Sequence, residues 1–178
     1  MFAEQGNNRN RVKKLCFYSV LTATAIIFGF VESLIPLSFI APGIKLGLAN
    51  SVALICLVGK DIKGAFSVNI SRILLSALLF GSPFSLLFSI CAGMVSLIIS
   101  AILIRLKSFS VVGVSIAGAV VHNIIQTVVA ILVIGVGVFY YLPFLIISAV
   151  VSGAVIGIIV TIISKRMKKI TRFLNNSF

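Results

Sequence analysis

Between residues 15 and 164 the chain is a series of long apolar runs separated by short links that carry Pro, Gly or charge. No other feature constrains the fold as much. In hydrocarbon each backbone N–H and C=O has to find its partner within the protein, and a helix provides this within a single segment. The whole chain is 60% hydrophobic and only 10% charged, against roughly 25% charged for ordinary soluble domains. Mean hydropathy is +1.26. The expected fold is an all-α integral membrane protein with no separate soluble domain. A basic tail over 1–14 precedes a membrane domain over 15–165, and a second basic tail covers 166–178.

The breakers place six transmembrane helices at about 15–37, 44–58, 65–80, 84–106, 111–139 and 142–164. The first run follows Arg9, Arg11, Lys13 and Lys14, as in a signal peptide. It is longer than the 7–15 residues of a signal h-region, so it reads as an uncleaved span. The fifth run is longer than a span requires, which predicts a tilt or a break near Gly135 and Gly137. Tyr140, Tyr141 and Pro143 mark an interfacial turn.

Fifteen basic residues face three acids, Glu4, Glu32 and Asp61, for a net charge of +12. In a soluble protein this balance would suggest nucleic acid. Here the basic residues fall where a membrane topology puts them. Residues 1–14 and 165–178 and the links at 59–64 and 105–110 hold 13 of the 15. Six spans put all four segments on one side, which the positive-inside bias makes cytoplasmic. Lys45 and Arg72 are the two that topology leaves unexplained.

Lys45 lies in the most irregular stretch, P-L-S-F-I-A-P-G-I-K-L-G-L-A-N over 36–50. Pro36, Pro42 and Gly43 break the chain into a loop. The helix that follows is shorter than the ~20 residues that cross a ~30 Å core. It therefore has to lie in a thinned bilayer or be sheltered by protein. The loop and short helix are expected to border a cavity open to the outside.

Ionisable and amide side chains inside spans are costly and face cavities or partners. At ~1.5 Å per residue, Glu32 lies roughly 25 Å above the cytoplasmic end of span 1, Arg72 about 12 Å above the start of span 3 and His122 about 16 Å above the start of span 5. Asn50 lies about 10 Å below the outer end of span 2. Asn69 and Arg72, three apart, share a helix face. His122, Asn123 and Gln126 form one polar patch. The candidate substrate-binding set is therefore Arg72, His122, Asn123, Gln126, Asn50, Lys45, Glu32 and Asn69. Apart from Glu32 it is cationic and amide-rich, which suits a ligand with a carboxylate, a phosphate or several carbonyls. Four members have a structural alternative: Arg72 as a permanent partner of Glu32, His122 as a helix–helix hydrogen-bonder, Lys45 as an interfacial anchor, Asn50 as a cap or a bridge between helices.

Small residues at helical spacing mark packing seams. Span 4 carries Ser85, Ser89, Gly93, Ser96 and Ser100, and span 6 carries Ala149, Gly153 and Gly157. Both read as internal contacts. Cys16, Cys56 and Cys91 have no metal or disulfide spacing, so no metal or cofactor is expected.

Three motifs together, G-I-K-L-G-L-A-N (43–50), N-I-S-R-I-L-L (69–75) and S-I-A-G-A-V-V-H-N-I-I-Q (115–126), resemble the Gx transporter family. That family also carries the label heptaprenyl diphosphate synthase component I and is grouped with the substrate-binding S components of energy-coupling factor (ECF) transporters. The resemblance covers roughly 15–165. It implies an S-component-like six-helix bundle that captures a micronutrient or precursor. Pro36, Pro42 and Gly43 would then belong to a gating loop. The implied partners are a membrane coupling subunit and two ATPases. S components often carry A-x-x-x-A on helix 1; here Ser19–Ala23 and Ala25–Gly29 match it imperfectly as the coupling-subunit interface.

The chain's own residues argue against catalysis. Prenyl diphosphate chemistry uses carboxylates to hold Mg²⁺ on diphosphate, and the three acids here are dispersed, with no D-D-x-x-D. There is also no P-loop. The leading expectation is the importer subunit. The alternative is a non-catalytic membrane accessory subunit of an isoprenoid or quinone pathway that binds a prenyl diphosphate. A structural subunit of a redox assembly is the third reading; with no paired His or Cys ligands it could not itself carry electrons.

Overall fold

The computed structural model describes residues 2–34, 47–80, 83–106 and 108–176. Six α-helices account for nearly all of them: α1 (Phe2–Leu34), α2 (Leu48–Val58), α3 (Ile62–Phe80), α4 (Pro83–Arg105), α5 (Val111–Ile134) and α6 (Leu142–Asn176). A 3-10 turn, Val136–Tyr141, joins the last two. Among the described residues five segments are long and apolar enough to cross a membrane: Val12–Glu32, Ile62–Leu79, Leu86–Arg105, Val111–Ile134 and Val136–Arg166. The protein is a helical, multi-pass protein of the bacterial cell membrane.

The short helix is the centre of the bundle. At 11 residues, α2 is about 16 Å long and could not cross a bilayer core unaided. It packs against α1, α3, α4 and α6, and Ala49, Ser51, Val52, Ala53, Leu54, Cys56 and Leu57 are buried. Shelter by protein is thus how the chain accommodates it. Around it α3 packs on α4, α4 on α5 and α5 on α6, while α1 lies at the edge with Val20, Ile27 and Phe30 exposed.

Both polar ends continue the adjoining helices, α1 from Phe2 and α6 to Asn176. Lys, Arg, Glu and Gln are good helix formers, and no proline interrupts either end. The predicted break after α5 is present: Gly135 has φ 119° and ψ 171°, open to glycine and strained for other residues.

Glycines set the helix spacing on the α5–α6 side. A Cβ on Gly153 would lie 2.8 Å from Ile116 Cα, and one on Gly157 would lie 2.6 Å from Val112 Cα. The backbones meet at a distance only glycine allows, the usual basis of helix association in lipid. At the other end of α2 the chain turns through Lys60 at φ 65°. Asp61 N–H donates to Cys56 O and Lys60 N–H to Leu57 O, a Schellman-type cap with lysine in the left-handed position. The Tyr18 hydroxyl then donates to Asp61 Oδ2, and Asp61 Oδ1 accepts from Gly64 N–H. One carboxylate therefore caps α3 and fastens it to α1.

Candidate functional site

Helix α2 has no Ser, Thr, Asp or Asn at its N-cap; Gly47 occupies that position with φ 75°. Its cap comes from α1. Glu32 Oε1 accepts from Gly47 N–H at 2.7 Å and Oε2 from Leu48 N–H at 3.1 Å. A carboxylate at a helix N-terminus satisfies orphan donors and meets the positive end of the helix dipole. Glu32 itself is buried, so its charge is balanced locally by α2.

Arg72 on α3 is held differently. Its Nη2 donates to Asn50 Oδ1 on α2 and to Asn69 Oδ1 one turn earlier, both at 3.0 Å. Asn69 is 2% exposed and donates through Nδ2 to Gly93 O at 3.3 Å. Neither Arg72 bond is an ion pair. Arg72 Nε is also buried, without a hydrogen-bond partner among the described residues. The Glu32 carboxylate on the same cavity wall acts on the guanidinium electrostatically without a hydrogen bond to it, so Arg72 keeps donor capacity for a further acceptor.

These groups line one cavity of about 110 Å³ between the helices, room for several waters or a small polar head. Glu32, Asn50, Asn69, Arg72, His122 and Asn123 all contribute to its wall. The structure thus brings together six of the eight predicted binding residues. Gln126 is not among the wall residues. It lies one helical turn beyond His122, and the patch they share extends past the cavity. Lys45 lies outside the described residues, as do Pro36, Pro42 and Gly43 of the expected gating loop.

Two parts of the wall went unread in the sequence. The small-residue face of α4 was expected to be a packing seam, yet Ser89, Gly93, Ser96 and Ser100 line the cavity, and Ser115 and Ser152 face it from α5 and α6. The seam still packs: Ser96 Oγ donates to Gly118 O at 2.7 Å, and a Cβ on Gly118 would lie 2.5 Å from Ser100 Oγ. The missed signal was chemical, since hydroxyls rather than Gly and Ala dominate that face. The cap on α2 was missed because its carboxylate is 15 residues upstream. Asn123 is 5% exposed and donates to Leu145 O at 2.7 Å. It therefore bridges α5 to α6 as well as lining the cavity.

On α1, Ser19 and Ala23 are exposed, and Ser19 Oγ donates to Leu15 O of its own helix. Ala25 is fully buried, and a Cβ on Gly29 would lie 3.7 Å from Ala49 Cβ. The second small pair therefore packs against this chain's own α2. Among the described residues no three His, Cys, Asp or Glu gather as a metal site.

The family described as heptaprenyl diphosphate synthase component I matches residues 21–163. No curated protein and no solved structure matches the chain. The family match corrects the leading expectation from the sequence. The matching family is not one of ECF S components, so the importer function, the S-component assignment, the membrane coupling subunit and the two ATPases fall with it. The interface expected at Ser19, Ala23, Ala25 and Gly29 loses its partner. The chain is not itself an enzyme, in keeping with a component that accompanies a synthase. With a match over most of its length, the chain belongs to the heptaprenyl diphosphate synthase component I family.

Proposed function

We propose that this chain is the non-catalytic membrane subunit of a prenyl diphosphate synthase, that it partners a catalytic component II, and that its cavity receives the diphosphate end of an isoprenoid diphosphate. The observation that carries this reading is the Arg72 guanidinium in the cavity wall, held by Asn50 and Asn69. An anion there gains a charge-assisted contact that the amides alone do not provide. His122, Asn123 and the α4 serines supply further polar groups around it. Glu32 does not repel such a ligand strongly, because the N-terminus of α2 offsets its charge.

Six spans with both termini in the cytoplasm complete the reading. The basic tails and links support it through the positive-inside bias. The membrane domain covers 15–165, flanked by the two basic tails. Co-expression with the catalytic prenyl synthase subunit of the same organism tests the partnership. Stable co-purification in detergent is expected. Recovery of the chain with no synthase subunit, under conditions where both are expressed and soluble, would overturn it.

A further inference from the structure

A second concavity lies on the outer face of the bundle, between α3 and α4. It has a volume of about 240 Å³ and is lined by Ile70, Ile73, Leu74, Ile90 and Met94, with almost no polar surface. Ile70, Leu74 and Ile90 are each about two-fifths exposed, so this groove faces the lipid. Its inner edge meets the polar cavity at one position. Gly93 belongs to the cavity wall, and a Cβ there would lie 2.9 Å from Ile73 Cδ1, 3.6 Å from Asn69 Nδ2 and 3.9 Å from Arg72 Nη2. At this point α4 contributes no side chain. Ile73, 3% exposed, packs its tip against this point between the groove and the Arg72 site; opening a passage there requires a rotamer change of Ile73.

We propose that the groove and the cavity form one bipartite site for an amphiphile: the anionic head lies at Arg72, and the apolar chain passes Ile73 and lies along Ile70, Leu74, Ile90 and Met94, entering sideways from the bilayer. The occupant of the groove is the isoprenoid tail, because the groove adjoins the polar cavity at Gly93 and the cavity side carries the Arg72 cation. The proposal rests on the diphosphate reading above and extends it to the route and the tail. A cavity of this size holds a head group but not a long prenyl chain, so the chain has to leave the cavity, and Gly93 is the thin point in the wall. Lipid tails are as apolar as the groove, so the groove acts as the exit route of the tail, and filling it costs binding because the tail is then held against the polar cavity.

The protein has no tryptophan, so Ile90→Trp supplies a single reporter in the groove. In nanodiscs made with brominated lipid its fluorescence is quenched. Farnesyl diphosphate is expected to relieve that quenching saturably, whereas inorganic diphosphate is not. Met94→Trp, which fills the groove, is expected to weaken farnesyl diphosphate binding at least tenfold while leaving inorganic diphosphate within twofold. Gly93→Ala, which crowds Ile73, is expected to do the same more mildly. If farnesyl diphosphate binds through Arg72 but neither protects the reporter nor responds to Met94→Trp, the groove proposal is overturned and the head-group reading stands. If neither diphosphate binds, both are overturned. Protection by farnesol alone, with no effect of Arg72→Gln, would make the groove a lipid site and overturn the bipartite arrangement.

Discussion

Arg72 Nη2 lies 3.0 Å from Asn50 Oδ1, tying α3 to the short central helix at the wall of the polar cavity. The same nitrogen reaches Asn69 Oδ1, so two neutral amides orient one cation. Asn50→Ala removes one acceptor from a buried charged donor, at an expected cost of about 1.5–3 kcal/mol. Thermal unfolding in detergent measures it. Arg72→Lys keeps the charge but loses the fixed in-plane pair of N–H groups on Nη2 that meets both amides, so it is expected to lose stability without gaining a new partner.

Glu32 holds the entrance of α2 from another helix. Glu32→Gln keeps the shape but removes the charge, and about 1 kcal/mol of stability is expected to go with it. Protease protection around residues 47–50 should fall more than protection of α5 and α6. A uniform loss across the bundle would contradict a local capping role.

Gly157 places Val112 Cα where a side chain would clash. Gly157→Leu is expected to pry α5 from α6 and cost at least about 1–3 kcal/mol. Val151→Leu on the exposed face of the same helix should stay within about 0.5 kcal/mol. Comparing their melting temperatures separates loss of the seam from general intolerance.

Outside the spans, the hydrogen bond from Tyr18 holds the Asp61 carboxyl below its ordinary value of 3.8, aided by Gly64 N–H and the charge of Lys14. Because the folded value is depressed, the contribution of Asp61 to stability is fully present above pH 3.8 and fades as the pH falls through the folded value. Asp61→Asn should lower the melting temperature at pH 7 and remove part of its drop in acid. An acid profile identical to the unmodified protein would contradict this.

The helices were legible because their cause is compositional. Six apolar runs with breakers at Pro36, Pro42, Gly59, Gly81 and Gly135 leave little choice of architecture. The polar cluster was legible too, since Arg72 or Asn69 inside a span calls for a cavity or a partner. What the sequence did not disclose is which neutral partner satisfies which group. Glu32 was weighed as a partner of Arg72, but its oxygens go to α2, and Arg72 is left to Asn50 and Asn69. That choice depends on how α1 meets α2, a long-range contact with no local pattern. The α4 serines were misread for a related reason. A small-residue face looks alike whether it meets a helix or a void, and here it meets both. The importer reading came from a resemblance carried by three motifs rather than from the chemistry of the site, and the family match replaced it.

The most direct test is equilibrium binding of farnesyl diphosphate to the purified protein in nanodiscs, measured beside Arg72→Gln and Asn69→Ala under identical lipid conditions. Saturable binding to the unmodified protein is expected, with at least a tenfold loss in Arg72→Gln and a smaller loss in Asn69→Ala. Equal binding by all three proteins, or none by the unmodified one, would contradict an isoprenoid diphosphate site at Arg72.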